Sequence, residues 1–248
     1  MVEIKNVDII YNKGMYNEKK ALDNFSLKIE KNEFITIIGH NGAGKTTLFK
    51  VLTGSLTPDS GKYIINGREI KKVRSHILFK KIGIVYQNPD SGVFPELTIE
   101  ENLILGKKRG MRGLGFSKYD SLDLLTGLGI GLEKRLKTKV KELSGGQKQS
   151  LAMIIAVSSK PSMLLLDEHT AALDPKMADK IMNLTLKINK ELNIPVLMIT
   201  HNMNLTEKYS QRIIEISGGK ISSDIFAEEN SSSGKIFCGK NMFITEVV

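Results

Sequence analysis

Residues 39–46 read Gly39-His40-Asn41-Gly42-Ala43-Gly44-Lys45-Thr46, the spacing G-x-x-x-x-G-K-[ST], and they follow the apolar run Phe34-Ile35-Thr36-Ile37-Ile38. Few folds accommodate this string. Its glycines let the backbone turn its amides toward one point, and that geometry needs a buried strand before the loop and a helix after it. The apolar run has the length and character of a buried parallel strand. Thr46 to Leu52 continues as a helix with Leu48 and Leu52 on one face. Converging N–H groups and the positive end of the helix would hold phosphate oxygens. Lys45 would reach the β- and γ-phosphates, and the Thr46 hydroxyl would ligate Mg²⁺. The expected phosphate-binding set is Gly39, Asn41, Gly42, Ala43, Gly44, Lys45, Thr46 and Thr47, and the expected ligand class is a nucleoside triphosphate.

Two strings further along narrow the chemistry. Met163-Leu164-Leu165-Leu166 runs into Asp167-Glu168, two carboxylates at the end of an apolar strand. In an open parallel sheet the carboxyl ends of the strands face the ligand crevice. Asp167 would hold Mg²⁺, and Glu168 would polarise the water that attacks the γ-phosphate. Leu143-Ser144-Gly145-Gly146-Gln147 is a second glycine-rich string with anion-binding character, lying about a hundred residues beyond the first loop.

Periodicity places these strings in an α/β chain. Val2 to Ile10 and Ala21 to Ile29 read as strands around a polar loop, and Lys62 to Ile65 before Asn66-Gly67 reads as a hairpin. Ile82 to Tyr86 and Val196 to Thr200 read as further strands, as does Ile213 to Ser217 before Gly218-Gly219. Thr98-Ile99-Glu100-Glu101 is a capping box, and Asp174-Pro175 opens a helix with a cap and a first-turn proline. The expected organisation is residues 1–87 as a β subdomain with the first part of the core, 88–157 as a mainly helical subdomain, 158–221 as the second part of the core, and 222–248 as a tail. Asn230 to Gly234 is linker-like, and the apolar stretch from Ile236 to Val248 could pack on the core or stay mobile.

Together these strings resemble the ATP-binding subunit of ABC transporters over residues 1 to about 220. The resemblance implies a P-loop NTPase core of RecA-like type, with an N-terminal antiparallel β subdomain and an inserted α-helical subdomain. It implies ATP and Mg²⁺ as ligands and ATP hydrolysis as the reaction. Gln87 follows its strand as the family's metal- and water-sensing glutamine does, and Ala172-Leu173-Asp174 looks like the loop that crosses the family's dimer interface. His201 is placed like the histidine that contacts the γ-phosphate, and Tyr11 like the aromatic residue that stacks on adenine, with Tyr16 a weaker rival. Ser144, Gly145, Gly146 and Gln147 would contact ATP held by a second copy, so that two ATP molecules sit between two subunits. Glu168, His201, Gln87 and Asp174 are then the expected catalytic group, and Thr46, Gln87 and Asp167 the expected metal group. His40 and His169 are read as structural.

Asp167-Glu168-His169-Thr170-Ala171-Ala172-Leu173-Asp174-Pro175, with Thr200-His201-Asn202-Met203 and Asn17-Glu18-Lys19, is similar to a subgroup of bacterial importer ATPases. That subgroup is paired with lipoprotein-type solute-binding proteins, and some relatives are linked to aromatic amino acids. The resemblance implies a homodimer docked at the cytoplasmic face of a membrane permease, near Ser91 to Leu103. A soluble ABC ATPase of an assembly system, such as iron–sulfur cluster delivery, shares every motif. A DNA-repair or chromosome ATPase would carry heptads or cysteine clusters between the two glycine-rich strings, and neither is present.

Bulk properties agree with a soluble α/β protein. The chain has 248 residues, 41% hydrophobic and 25% charged, enough for a full core. No apolar run approaches the roughly 18 residues of a membrane helix. Met1-Val2-Glu3-Ile4-Lys5 has no signal-peptide pattern, and a single cysteine, Cys238, fits a reducing compartment; a cytoplasmic protein is expected. The basic residues behind the net charge of +9 are mostly scattered among acidic ones, which favours a solubilising surface over nucleic-acid contact or attraction to an anionic membrane surface. Lys107-Lys108-Arg109 with Arg112 is either a solvated loop or a contact for lipid headgroups or a membrane partner.

Overall fold

β1 (Val2–Tyr11) and β2 (Lys19–Ile29) form a long antiparallel pair running from Val2↔Ile29 to Tyr11↔Lys19. Along β2, Phe25, Leu27 and Ile29 are buried while Ser26 and Lys28 are exposed, the period-2 pattern of a strand with one face on a core. A bulge interrupts β1 near Asn6, which adopts a left-handed φ of 50°. β4 (Ser60–Ile65) and β5 (Arg68–Glu69) complete a sheet of order β2-β1-β4-β5. Asn66 and Gly67 join these two with φ of 49° and 76°, the paired positive values of a type I′ turn, as their sequence predicts.

A computed structural model describes residues 1–70, 81–108, 121–171, 173–230 and 234–238. The chain divides into two compact units, one of Met1–Lys72 with Ile199–Val248 and the other of Val73–Met198.

The first unit contains the sheet above and a second one of order β11-β10-β9-β3. Its strands are β3 (Phe34–Ile38), β9 (Arg212–Ser217), β10 (Lys220–Asn230) and β11 (Gly234–Cys238). β3 and β9 are parallel, and the other neighbours are antiparallel. β10 pairs with β11, with Asn230 opposite Gly234, so the tail extends the sheet as far as Cys238; residues 231–233 of the linker-like stretch lie outside what is described. Arg212 fastens this extension. Its guanidinium grips Asp224 through two bonds of 2.7 Å, donates to Lys28 O at 2.9 Å and Glu33 Oε1 at 3.1 Å, and lies over the Phe226 ring at 4.8 Å. Two helices belong to this unit, α1 (Lys45–Leu52) and α6 (Met203–Tyr209), the latter capped by Asn202 through a bond from Leu205 N of 3.1 Å.

The second unit is built on β8 (Val196–Ile199), whose last residue begins the other unit, β7 (Met163–Asp167) and β6 (Ile82–Val85), in the order β8-β7-β6. β6 and β7 run parallel from Ile82↔Met163 to Val85↔Leu166. Leu164, Leu165 and Leu166 are fully buried, which accounts for a continuous apolar run where a half-exposed strand would alternate. The described residues between 88 and 157 form α2 (Ile99–Lys108), α3 (Ser121–Leu128) and α4 (Gly145–Ser158), with short 3-10 turns between them. The Thr98 box is made as its sequence predicts, with Glu101 N donating to Thr98 Oγ1 at 3.2 Å and Thr98 N to Glu101 Oε2 at 2.7 Å. α5 (Pro175–Leu192) starts at the Asp174 cap and ends at Asn193, whose left-handed φ of 51° stops the helix. Among the described residues no helix is long and apolar enough to cross a membrane. Arg109, Arg112, Ala172, the 239–248 end, and the side chains of Lys107, Lys108 and Cys238 lie outside what is described.

Candidate functional site

In the first unit, β3 delivers the chain to Gly39, and two glycines of the loop are required sterically. A Cβ on Gly39 (φ 145°) would lie 2.3 Å from Ile216 O, and one on Gly44 (φ 118°) would lie 2.7 Å from Ala21 O. Only glycine combines that approach with those dihedrals. Gly44 is the N-cap of α1, which has no side-chain cap and no acidic residue in its first turn. The first amides of a helix have no intrahelical acceptor, so this end is available to an anion. The Lys45 ammonium, buried at 7% exposure, donates to the carbonyls of Gly39 and, at 3.0 Å, His40. Asn41, Gly42 and Thr46 are exposed, whereas Ala43 and Thr47 are buried. The Tyr11 hydroxyl comes within 3.5 Å of Thr47 Oγ1, leaving the ring half-buried at the end of β1, while Tyr16 is fully exposed. His201 is exposed just after β8, in a turn where Asn202 N donates to Thr200 Oγ1 at 3.1 Å.

In the second unit, the carboxylate end of β7 carries Asp167, half-buried, and then Glu168 in the left-handed region at φ 43°. Gln87 Nε2 donates to Glu168 Oε2 at 3.1 Å, so the glutamine expected to sense metal and water touches the expected base. Gln149, 1% exposed on α4, donates to Tyr86 O at 3.0 Å and holds the residue preceding Gln87. Sequence reasoning passed over Gln149; the signal was a second glutamine two residues beyond Gln147, in the first turns of the same helix.

Ser144 is the N-cap of α4 and forms a reciprocal box with Gln147: Gln147 N donates to Ser144 Oγ at 3.4 Å and Ser144 N to Gln147 Oε1 at 3.2 Å. Gly145 faces open space, and Gly146 sits where a Cβ would meet Met177 Cγ of α5 at 3.1 Å. The Ser144–Gln147 string is therefore a helix start with room at its first residue. Asp174 accepts from Met177 N at 3.0 Å as the cap of α5.

His169 is 2% exposed, and neither ring nitrogen has a partner. Burial alone pushes its imidazole down to about 3, which keeps it neutral at physiological pH. This agrees with reading it as structural, although its isolation was not visible in the sequence. Among the described residues no three or more His, Cys, Asp or Glu side chains gather as a metal cluster. Mg²⁺ commonly takes only one or two carboxylates and completes its shell with substrate phosphates and water, so the exposed Thr46 hydroxyl and the Asp167 carboxylate are donors of a suitable kind.

Comparison with known proteins identifies the family and the fold. A family profile described as ABC transporter matches residues 22–171. The tyrosine transport ATP-binding protein of Clostridioides difficile is 36% identical over 237 residues, covering 94% of each chain. The energy-coupling factor transporter ATP-binding protein EcfA2 of Acetivibrio thermocellus is 39% identical over 221 residues, 89% of this chain and 78% of that one. Among solved structures, the ATP-binding cassette MJ0796, a dimer in a post-hydrolysis state with ADP and Pi, superposes with a TM-score of 0.77 at 32% identity, covering 90% of this chain and 97% of that chain. cbiO1 of Clostridium perfringens, part of the transporter complex cbiONQ, gives a TM-score of 0.77 at 28% identity, over 90% and 87% of the two chains.

Proposed function

The chain belongs to the ABC transporter ATP-binding family and is an ATPase of that family, and from this premise we propose that it hydrolyses ATP to drive solute transport through a separate membrane permease. The observation that carries the reading is the Gln87–Glu168 hydrogen bond of 3.1 Å at the carboxylate end of β7. It sets a general base beside a side chain able to respond to nucleotide, which a passive nucleotide-binding module would not need.

In this reading the amides of residues 42–47 and the Lys45 ammonium bind the phosphates, and Tyr11 stacks on adenine. Thr46, Asp167 and Gln87 would hold Mg²⁺, which would supply charge neutralisation for the β- and γ-phosphates. Glu168 accepts the proton of the attacking water, and His201 hydrogen-bonds the γ-phosphate. Ser144, Gly145, Gly146 and Gln147 contact the ATP of a second copy, with Asp174 on the loop between copies. ATP binding then closes the pair, and hydrolysis with phosphate loss reopens it.

The finer assignment is an importer motor at the cytoplasmic face of the cell membrane, working with a lipoprotein-type solute-binding protein, with amino acids as the solute class. The residue string 167–175 and the similarity to a tyrosine transport ATP-binding protein support it. Two measurements test the reading. Ser144→Arg is expected to spare nucleotide binding to the monomer and to stop hydrolysis; surviving hydrolysis would rule out the shared site. Glu168→Gln, locked with Mg-ATP, is expected to retain a multi-spanning membrane protein from detergent-solubilised membranes. A catch of soluble proteins alone would point instead to an assembly ATPase.

A further inference from the structure

Two adjacent lysines open β2, and the structure uses them differently. Lys20 is engaged within its unit, paired with Asp8 at 2.9 Å and Asp23 at 2.5 Å, and the bonds to Asp23 and Asp8 raise its pKa. Lys19 is exposed and has no carboxylate partner among the described residues. It lies opposite Tyr11 in the β1–β2 register. Its ammonium instead reaches the tip of the phosphate loop, where a Cβ built on Gly42 would lie 3.4 Å from Lys19 Nζ. Gly42 is itself exposed at φ 79°, and apart from Gly42 and its chain neighbours no other heavy atom of the described residues comes within 4 Å of that Cβ position.

A cation with no carboxylate partner among the described residues, set against a loop read as a phosphate site, adds attraction at the point where an anion would bind. It also keeps its solvation until the anion arrives, so it carries little desolvation cost in the empty protein. Lys45 reaches the loop from α1, whereas Lys19 reaches it from the β1–β2 hairpin that also carries Tyr11.

We propose that Lys19 is a nucleotide-contacting residue whose ammonium donates to the phosphate chain of ATP bound at residues 39–46. The inference rests on the reading of that loop as the ATP site. Lys19 thereby joins the hairpin to the phosphates, so one short element grips the base through Tyr11 and the phosphates through Lys19.

The test is equilibrium titration of the full chain with a fluorescent ATP analogue across a range of ionic strength. Lys19→Gln is expected to weaken binding about three- to tenfold at low salt, the range of an exposed charge-assisted contact. The gap from wild type should narrow as salt screens the charge. Lys19→Arg should bind within about twofold of wild type, since it keeps the charge. Wild-type affinity for Lys19→Gln at low salt overturns the proposal, and so does a loss in Lys19→Arg equal to that in Lys19→Gln, because the charge would then not be the cause. An absence of ATP binding in the wild-type protein would instead overturn the nucleotide reading itself.

Discussion

The phosphate loop and the carboxylate end of β7 both need backbone in the left-handed region, and they reach it by opposite means. The loop places Gly39, Gly42 and Gly44 at φ of 145°, 79° and 118°, where glycine has no Cβ to clash. After β7 the residue at positive φ is Glu168, at 43°, and an L side chain there costs about 1–2 kcal/mol. Its hold is local, through the Gln87 bond at 3.1 Å and the turn closed by Ala171 N to Glu168 O at 3.0 Å. The loop is shaped for a ligand at little conformational cost. The carboxylate end stores strain at the residue proposed as the general base, so in that proposal function and stability pull in different directions there.

The sharpest way to separate the two regions is Glu168→Gln, which keeps the backbone and shape but removes the base. Hydrolysis, followed by phosphate release, should fall at least about 100-fold while a fluorescent ATP analogue still binds; normal turnover would remove Glu168 from the reaction. Gly39→Ala attacks the loop instead. With Ile216 O only 2.3 Å from the new Cβ, the melting temperature should drop by roughly 5–10 °C, equivalent to about 2–3 kcal/mol. An unchanged melting temperature would mean that the loop does not need glycine there. His169→Leu probes the buried polar group next to the base. Removing an unpartnered polar group relieves about 1–3 kcal/mol, so the protein should melt a few degrees higher. A lower melting temperature would show that the imidazole has a partner in solution. The smallest change in stability belongs to Glu168→Gly, which should raise it by about 1 kcal/mol, or roughly 2–4 °C, while removing the same carboxylate as Glu168→Gln. A destabilised Glu168→Gly would mean that the left-handed turn carries no strain.

The same contrast explains what could be read from the chain. The loop was legible because glycine is itself the sign of the backbone it permits, and the apolar run 34–38 fixed the strand before it. The Thr98 and Asp174 caps were legible because their side chains bond amides three residues away. Glu168 carries no comparable sign: nothing in its side chain announces a positive φ. Gln149 and His169 were opaque for a related reason, since their significance lies in burial and in partners far along the chain or missing altogether. α6 was not read either, since a seven-residue helix barely completes two turns of pattern. The tail's pairing with β10 is not legible, because a short apolar stretch after a polar linker fits either a strand or a mobile end.

The docking of Lys45 on the carbonyls of Gly39 and His40 makes nucleotide capture an exchange rather than an addition. The ammonium already has oxygen partners, so the loop contains its own competitor, and phosphate has to displace it. The heat of binding then reports the difference between two sets of oxygen contacts, and its magnitude will understate how tightly the lysine holds the phosphates.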